Sequence, residues 1–93
     1  MDVRQFIGKN VERLRLAKVS DGKPMTQIAL ADALDMDRAY ISALERGLRN
    51  ATVVTLFRIS EVLGVPFSKL FEVAEGEQGP TEAQKERELK SRA

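Results

Sequence analysis

The feature that most constrains the fold of this chain is the stretch from Thr26 to Arg46, TQIALADALDMDRAYISALER. Apolar residues recur with helical spacing on both sides of Asp35-Met36-Asp37, so the stretch reads as two short helices joined by a tight turn. Thr26 and Asp37 stand where helix N-caps are expected. In the second helix the apolar residues fall on one side, and Arg, Ser and Ala fall on the other.

The residue types that are missing narrow the chemistry open to the chain. Cys, His and Trp are absent from the 93 residues. Without thiols or imidazoles there is no disulfide framework, no Cys or His metal site, and no nucleophile activated by His. Catalysis by carboxylates alone remains possible, but the usual catalytic groups are missing, so we expect no enzymatic activity, no metal and no cofactor.

The length and hydropathy of the chain suit one small domain with a single modest core. No apolar run approaches the length of a membrane span, and the N-terminal MDVRQF lacks the pattern of a signal peptide. These features predict a cytoplasmic protein without a membrane partner.

Five helices are predicted, and no segment alternates with the period of a strand, so the predicted fold class is all-α. Gly and Pro mark VSDGKP as a loop after the first helix, and LRNA forms a loop before the fourth. The predicted helices run from Val3 to Lys18, from the Thr26 cap to Leu34, from Arg38 to Arg46, from the Thr52 cap to Gly64, and from Pro66 to Val73.

The composition changes after Val73 and predicts a boundary there. We assign residues 1–73 to the domain and residues 74–93 to a polar tail, in which Leu89 is the one large apolar residue. Such a tail cannot bury a face, so we expect it to be disordered or only partly helical. Residues 1–73 carry 11 basic and 9 acidic side chains, a net charge of +2.

The spacing within the central stretch is that of a helix-turn-helix. In this motif the first of the two helices begins with a polar residue, and the fifth residue of that helix is small. Counting from Gln27, the fifth residue is Ala31, which must be small because the helices cross there. The predicted buried positions are Leu30, Leu34, Met36, Ile41 and Leu44, and Leu48 continues their line.

The third helix points its polar side outward. Arginine can donate two hydrogen bonds to a guanine edge, and an alanine methyl can contact a thymine methyl. An ordinary amphipathic surface helix is the alternative, because this periodicity is common. The predicted outward residues are Arg38, Ala39, Ser42, Ala43 and Arg46.

At these residues the chain resembles the lambda-repressor-like, Cro/cI-type helix-turn-helix regulators, also called the XRE family. The resemblance covers about residues 7–71 and implies a five-helix domain whose second and third helices form the helix-turn-helix. The run DRAYISALERGLRN is also similar to the controller proteins of restriction–modification systems. The matching residues are Thr26-Gln27, Leu30-Ala31, Tyr40-Ile41-Ser42, Glu45-Arg46-Gly47, Arg49-Asn50 and Leu63-Gly64-Val65.

The resemblance implies a role for each residue of the interface. Base contacts specify a DNA sequence, whereas phosphate contacts position the protein on it. The implied base-reading residues are Arg38, Ala39 and Ala43, with Ser42 beside them. The implied contacts to the DNA backbone are Gln27, Tyr40, Arg46, Arg49 and Asn50. An exposed helix-start glutamine and a solvated loop are the alternatives for Gln27 and for Arg49-Asn50.

Glu45 lies toward the buried side of the third helix, because it follows Ile41 by four residues. A buried carboxylate requires a partner. Arg15 is similarly placed on the first helix, four residues after Val11, and the family has an Arg–Glu pair at these positions. We therefore predict a partly buried salt bridge between Arg15 and Glu45 that holds the first helix against the third.

Three departures from the family pattern affect the turn and the loops. Asp35 stands where glycine is usual, although aspartate tolerates the left-handed conformation better than most residues. Asp37 either caps the third helix or also accepts a hydrogen bond from a cytosine amino group. The loop that contains SDGKP is longer than usual, and it is either inert or brings Lys23 to a phosphate.

The last helix is more apolar than the end of a small domain requires. Some of its residues close the core, and together they predict a two-fold interface. A dimer would place two recognition helices about one DNA turn, roughly 34 Å, apart, and would double the phosphate contacts of a weakly charged chain. The predicted interface residues are Phe67, Leu70, Phe71 and Val73.

The sequence therefore predicts a dimeric transcriptional regulator that binds double-stranded DNA at an inverted-repeat operator, with no small-molecule ligand. One alternative is an antitoxin, whose main partner is a toxin protein that binds the C-terminal tail. A second is a protein-interaction module without DNA binding, which the basic residues of the third helix disfavour. RNA polymerase is a further candidate partner.

Overall fold

The computed structural model describes residues 2–73, in which four α-helices, a short β-hairpin and a 3₁₀ helix follow one another. The all-α class is confirmed, and each predicted helix agrees with the structure to within two residues at either end. The predicted tail, residues 74–93, lies outside the described residues. The elements are α1 (Val3–Ala17), β1 (Val19–Ser20), β2 (Lys23–Pro24), α2 (Gln27–Leu34), α3 (Arg38–Glu45), α4 (Val53–Leu63) and the 3₁₀ helix (Phe67–Phe71).

The helices begin at residues whose side chains satisfy free N–H groups. The Thr26 and Thr52 hydroxyls each accept a hydrogen bond from the N–H three residues on, at 3.0 and 3.1 Å. Asp2 caps α1, and hydrogen bonds from the side chain and backbone of Arg4 lower the pKa of its carboxyl. Asp37 occupies the N-cap position of α3 but makes no side-chain hydrogen bond to the helix, so the predicted capping bond is not made.

Helices α2, α3 and α4 end in the same way. Asp35, Gly47 and Gly64 follow them in the left-handed conformation, with φ of 56°, 77° and 69°. The next residue in each case donates its N–H to the carbonyl five residues earlier, at 2.9, 2.9 and 3.0 Å. This is the Schellman arrangement, which satisfies carbonyls that the helix leaves free. Asp35 is the member of the three that carries a side chain.

The segment predicted to be an irregular loop between α1 and α2 is a β-hairpin, so that prediction is wrong. Asp21 and Gly22 both have positive φ, 52° and 75°, as a two-residue type I′ turn requires. Strands β1 and β2 pair antiparallel, and the N–H of Met25 donates to the Lys18 carbonyl at 2.9 Å. Two-residue strands are too short to show a period of two, which is why the alternation was absent from the sequence.

The core lies where all the helices meet. The predicted inward residues of α3, Ile41 and Leu44, are buried, whereas Leu48 is 62% exposed. The prediction for Leu48 is wrong, because the left-handed turn at Gly47 takes the chain off the helical line. The buried apolar residues are Val11, Leu14, Leu30, Ala31, Leu34, Ile41, Leu44, Leu56, Ile59, Leu63 and Leu70.

The 3₁₀ helix is held to α1 by a buried asparagine. The Asn10 side chain is fully buried, and its Nδ2 donates to the carbonyls of Leu70 and Glu72 at 2.8 and 3.0 Å. Leu70 itself is 0% exposed and closes the core. It therefore has no surface to offer a partner, which corrects its assignment to the predicted dimer interface.

Candidate nucleic-acid interface

The position of α3 is set by two glycines at which backbones touch. A Cβ on Gly8 of α1 would lie 2.7 Å from the carbonyl oxygen of Glu45, so only glycine lets α1 approach α3 this closely. A Cβ on Gly47 would lie 2.8 Å from the Cα of Gln5. Ala31, which was predicted to be small because the helices cross there, is 1% exposed. These contacts leave the opposite side of α3 uncovered.

The uncovered side of α3 carries the residues predicted to read bases. Arg38 and Ala39 are exposed at its start, and Ser42 and Ala43 are half-buried one turn later. Arg46 is exposed at its end, where its Nε donates to the Ser42 carbonyl at 3.3 Å. The structure thus brings these five residues together on one helix face.

The loop after α3 extends this face with a second cation. The Arg49 guanidinium carbon lies 5.5 Å from the centre of the Tyr40 ring, a cation–π contact that restrains both side chains. Tyr40 is half-buried against the core, whereas Arg49 and the neighbouring Asn50 are exposed. A restrained arginine beside an exposed amide suits contact with sugar-phosphate.

Carboxylates stand beside the basic residues, in an open cleft of about 720 Å³ at the α2–α3 turn. The Asp37 carboxylate is exposed there and is not used as a helix cap. It therefore remains available as an acceptor for another group. The cleft is lined by Asp32, Asp35, Met36, Asp37, Ala39, Tyr40 and Arg49.

The predicted salt bridge between Arg15 and Glu45 is present and has two hydrogen bonds. Arg15 Nε donates to Glu45 Oε2 at 2.7 Å, and Nη2 donates to Oε1 at 3.0 Å. The two side chains are only 9% and 1% exposed. Arg15 Nη1 also donates to the Met25 carbonyl at 2.7 Å, so the pair joins α1, α3 and the chain that enters α2.

Gln27, the first residue of α2, belongs to the same network. Its Nε2 donates to Glu45 Oε1 at 2.9 Å, and the side chain is half-buried. The Glu45 carboxylate therefore accepts three hydrogen bonds. The alternative of an unengaged, exposed glutamine at the helix start does not describe this side chain.

Two parts of the site were not predicted. The sequence contained a signal for Gly8, because a glycine inside an otherwise good helix costs about 1 kcal/mol relative to alanine and so suggests a packing requirement. The bond from Gln27 to Glu45 joins residues 18 positions apart, and neither residue type indicates the other. Lys23 is exposed on β2, where either of its predicted roles fits.

The predicted interface for a second copy lies on other elements. Phe67 is half-buried, and Phe71 and Val73 are 43% and 53% exposed. The Phe67 ring meets the Phe71 ring edge-on at 5.1 Å and the Phe57 ring of α4 at 6.0 Å. Phe57, at 51% exposed, extends this apolar surface beyond the residues that were predicted.

Within residues 2–73, no set of three His, Cys, Asp or Glu side chains is arranged to hold a metal ion. No helix in the same part of the chain is long and apolar enough to cross a membrane.

Comparison with known proteins agrees with this geometry. Residues 24–70 match the family described as Helix-turn-helix. Control protein C.MunI from a Mycoplasma species is 36% identical over 76 residues, which are 82% of this chain and 97% of that protein. The HTH-type transcriptional regulator y4dJ of Sinorhizobium fredii is 39% identical over 70 residues, which are 75% of this chain and 84% of the regulator.

Among solved structures, the restriction-modification controller protein C.AhdI from Aeromonas hydrophila superposes with a TM-score of 0.65. It is 29% identical, and the match covers 73% of this chain and 96% of that one. The chain therefore belongs to the helix-turn-helix family and is a DNA-binding transcriptional regulator rather than an enzyme. The predicted resemblance, including that to controller proteins, is confirmed.

Proposed function

We propose that the protein binds an inverted-repeat operator as a homodimer, with α3 of each copy in the major groove. The observation that carries this proposal is the uncovered face of α3, on which Arg38 and Ala39 are exposed. The small side chains of Ser42 and Ala43 behind them allow the helix to lie deep in the groove.

Within this proposal the bases are read from the start of α3. Arg38 donates to a guanine edge, and the Ala39 and Ala43 methyls contact thymine methyls or the groove floor. Asp37, which does not cap its helix, accepts from a cytosine amino group. An arginine and a carboxylate side by side can read the two bases of a G·C pair, because the arginine donates to guanine and the carboxylate accepts from cytosine.

The DNA backbone is held on both sides of α3. At one end, Gln27 and the N-terminus of α2 face a phosphate, where the helix dipole favours negative charge. At the other, Arg46, Arg49 and Asn50 contact the sugar-phosphate, with Tyr40 beneath Arg49. Contacts at both ends fix the register of the helix in the groove, so that its base contacts select a sequence.

The two copies meet through Phe67, Phe71 and Val73, and through Phe57 of α4. An exposed cluster of aromatic rings is unusual on a monomer, and aromatic residues are enriched at protein interfaces. Since the net charge of the chain is only +1, two modules on one operator are needed to collect enough phosphate contacts.

The similarity to controller proteins makes control of restriction–modification genes the specific form of this proposal. The antitoxin alternative depends on residues 74–93, which lie outside the described residues. It predicts that a second protein copurifies with this chain, whereas the regulator proposal predicts that the chain purifies alone.

Selection of bound duplexes from random DNA, followed by sequencing, tests the proposal. The expected product is a pair of inverted half-sites whose centres lie about 10 bp, one helical turn, apart. A single half-site without a repeat would contradict the dimer. Bound DNA with no enriched sequence would contradict base reading altogether.

A further inference from the structure

In the network of Arg15, Glu45 and Gln27, the hydrogen bond from Gln27 to Glu45 is not part of the salt bridge. We infer that Glu45 orients the Gln27 amide for donation to a DNA phosphate, in addition to its pairing with Arg15. Glu45 is then a positioning residue for a contact that it does not make itself. This inference rests on the proposed function, since it requires that Gln27 faces a phosphate.

The chemistry of the two side chains determines which end of the amide faces Glu45. A carboxylate paired with Arg15 can only accept hydrogen bonds, so the amide nitrogen of Gln27 must point toward it and the amide oxygen away. The nitrogen carries two hydrogens, and one of them is donated to Glu45 Oε1 at 2.9 Å. The second N–H is left for another acceptor, and a phosphate oxygen is such an acceptor.

Burial decides which member of the network can meet DNA. The Arg15 and Glu45 side chains are 9% and 1% exposed, so neither reaches a ligand. Gln27 is half-buried and is the first residue of α2. Of the three side chains, it is therefore the one that connects the buried pair to the surface.

The same pair also holds the backbone at this point. Arg15 Nη1 donates to the Met25 carbonyl, which directly precedes the Thr26 cap of α2. The first turn of α2 and the Gln27 side chain are thus both fixed before any DNA arrives. A side chain that is already ordered loses less conformational entropy on binding, so the phosphate contact is stronger than that of a free glutamine.

The test uses the duplex recovered by selection, with one backbone phosphate at a time replaced by an uncharged methylphosphonate. In the unmodified protein, the replacement at the phosphate that faces Gln27 should weaken binding roughly tenfold more than the replacement at an uncontacted phosphate, the effect of a hydrogen bond to a charged group. In Gln27→Ala this excess should fall to the part that the N-terminus of α2 contributes, because the side-chain donor is gone.

The decisive variant combines Arg15→Met with Glu45→Leu. Replacing both members of a buried pair by apolar groups of similar size often leaves stability unchanged, so the domain should fold, as circular dichroism would verify. The Gln27 amide then lacks its acceptor, and the tenfold excess at its phosphate should fall to the value in Gln27→Ala. Arg15→Met combined with Glu45→Gln is the matched control. It loses the same bond from Arg15 to the Met25 carbonyl but keeps an amide oxygen that can accept from Gln27, so it should retain more of the excess than the apolar pair.

The outcomes separate this inference from the proposal beneath it. If the excess depends on Gln27 but stays tenfold in the folded pair variant, Glu45 has a structural role only and the inference is overturned. If no phosphate shows an excess that depends on Gln27, the phosphate contact and the inference fail together. If the unmodified protein selects no DNA, the proposed function itself fails.

Discussion

Glu45 shows how a single residue can join the stability of the domain to its interface. Its carboxylate is buried at the end of α3 and accepts two hydrogen bonds from Arg15 and one from Gln27. A buried charge is tolerated only when it is paired and its remaining lone pairs are satisfied. The salt bridge is therefore a brace between α1 and α3, and it fixes the position of the exposed face of α3.

Substitution of Glu45 by alanine should destabilise the domain by about 3–5 kcal/mol, because it leaves the Arg15 guanidinium buried without its partner. Urea denaturation measures this loss, in sucrose if the variant is too unstable without it. Glu61→Ala is the control, since Glu61 is exposed on α4 and its loss should change stability by no more than about 0.5 kcal/mol. Equal midpoints for the two variants would contradict the brace.

At the scale of the elements, the turn between α2 and α3 departs from its two sister turns. Asp35 closes α2 with φ of 56° and ψ of 47°, in the position that glycine occupies after α3 and α4. Left-handed backbone is disfavoured for residues with a Cβ, though less for aspartate than for most. The hydrogen bond from Met36 to the Ala31 carbonyl, at 2.9 Å, holds the conformation in place.

Comparison of Asp35→Gly with Asp35→Ala isolates the backbone at this turn, because both variants lose the same carboxylate. The glycine variant should be more stable than the alanine variant by about 1 kcal/mol, because the left-handed conformation strains a residue that has a Cβ and does not strain glycine. Thermal unfolding of the two proteins measures the difference. Identical melting temperatures would show that the turn relaxes and that the left-handed conformation is not required.

Elements with strong local signals could be predicted from the sequence, and those held by distant contacts could not. The apolar spacing predicted helices α1 to α4, and the threonine caps further supported α2 and α4. The hairpin was missed because its strands are two residues long, although Asp21-Gly22 is a typical type I′ turn sequence. The Asp-Gly dipeptide alone would have predicted the hairpin, even though the flanking residues show no alternation of apolar and polar side chains.

The candidate site divides in the same way. The outward face of α3 follows from its periodicity, and the Arg15–Glu45 pair was anticipated from the family resemblance and the buried position of Glu45. The hydrogen bonds from Gln27 to Glu45 and from Asn10 to the Leu70 carbonyl join distant parts of the chain, so they depend on which helices meet in space. Leu70 belongs to the apolar pattern of the last helix, but such a pattern does not distinguish a core residue from an interface residue.

At the scale of the whole molecule, two surfaces differ in chemistry. One is the basic face built on α3 and its following loop, and the other is the aromatic cluster of Phe57, Phe67 and Phe71. The first suits DNA and the second suits another copy of the chain. A dimer built on the second surface brings two copies of the first to one operator.

Phe71→Glu should convert the proposed dimer to a monomer without unfolding it, because the ring is 43% exposed and a carboxylate there would be desolvated only in the interface. Sedimentation equilibrium measures the change. Leu48→Glu is the matched control, since it places the same charge at an exposed apolar residue outside the aromatic cluster and should leave the dimer intact. A dimer that persists in Phe71→Glu would place the interface elsewhere.

A comparison of Arg38→Ala with Arg49→Ala tests the claim that α3 reads bases while its surroundings hold the DNA backbone. Affinities for the selected operator, its single-base variants and scrambled DNA are measured over a range of salt concentrations. Arg38→Ala should lose discrimination at one base pair per half-site, worth about 1–3 kcal/mol, and keep its nonspecific binding. Arg49→Ala should weaken all sequences alike and lower the salt slope by about 1 per half-site. Equal affinity of the unmodified protein for operator and scrambled DNA, or an Arg38→Ala variant that discriminates as well as the unmodified protein, would contradict the claim.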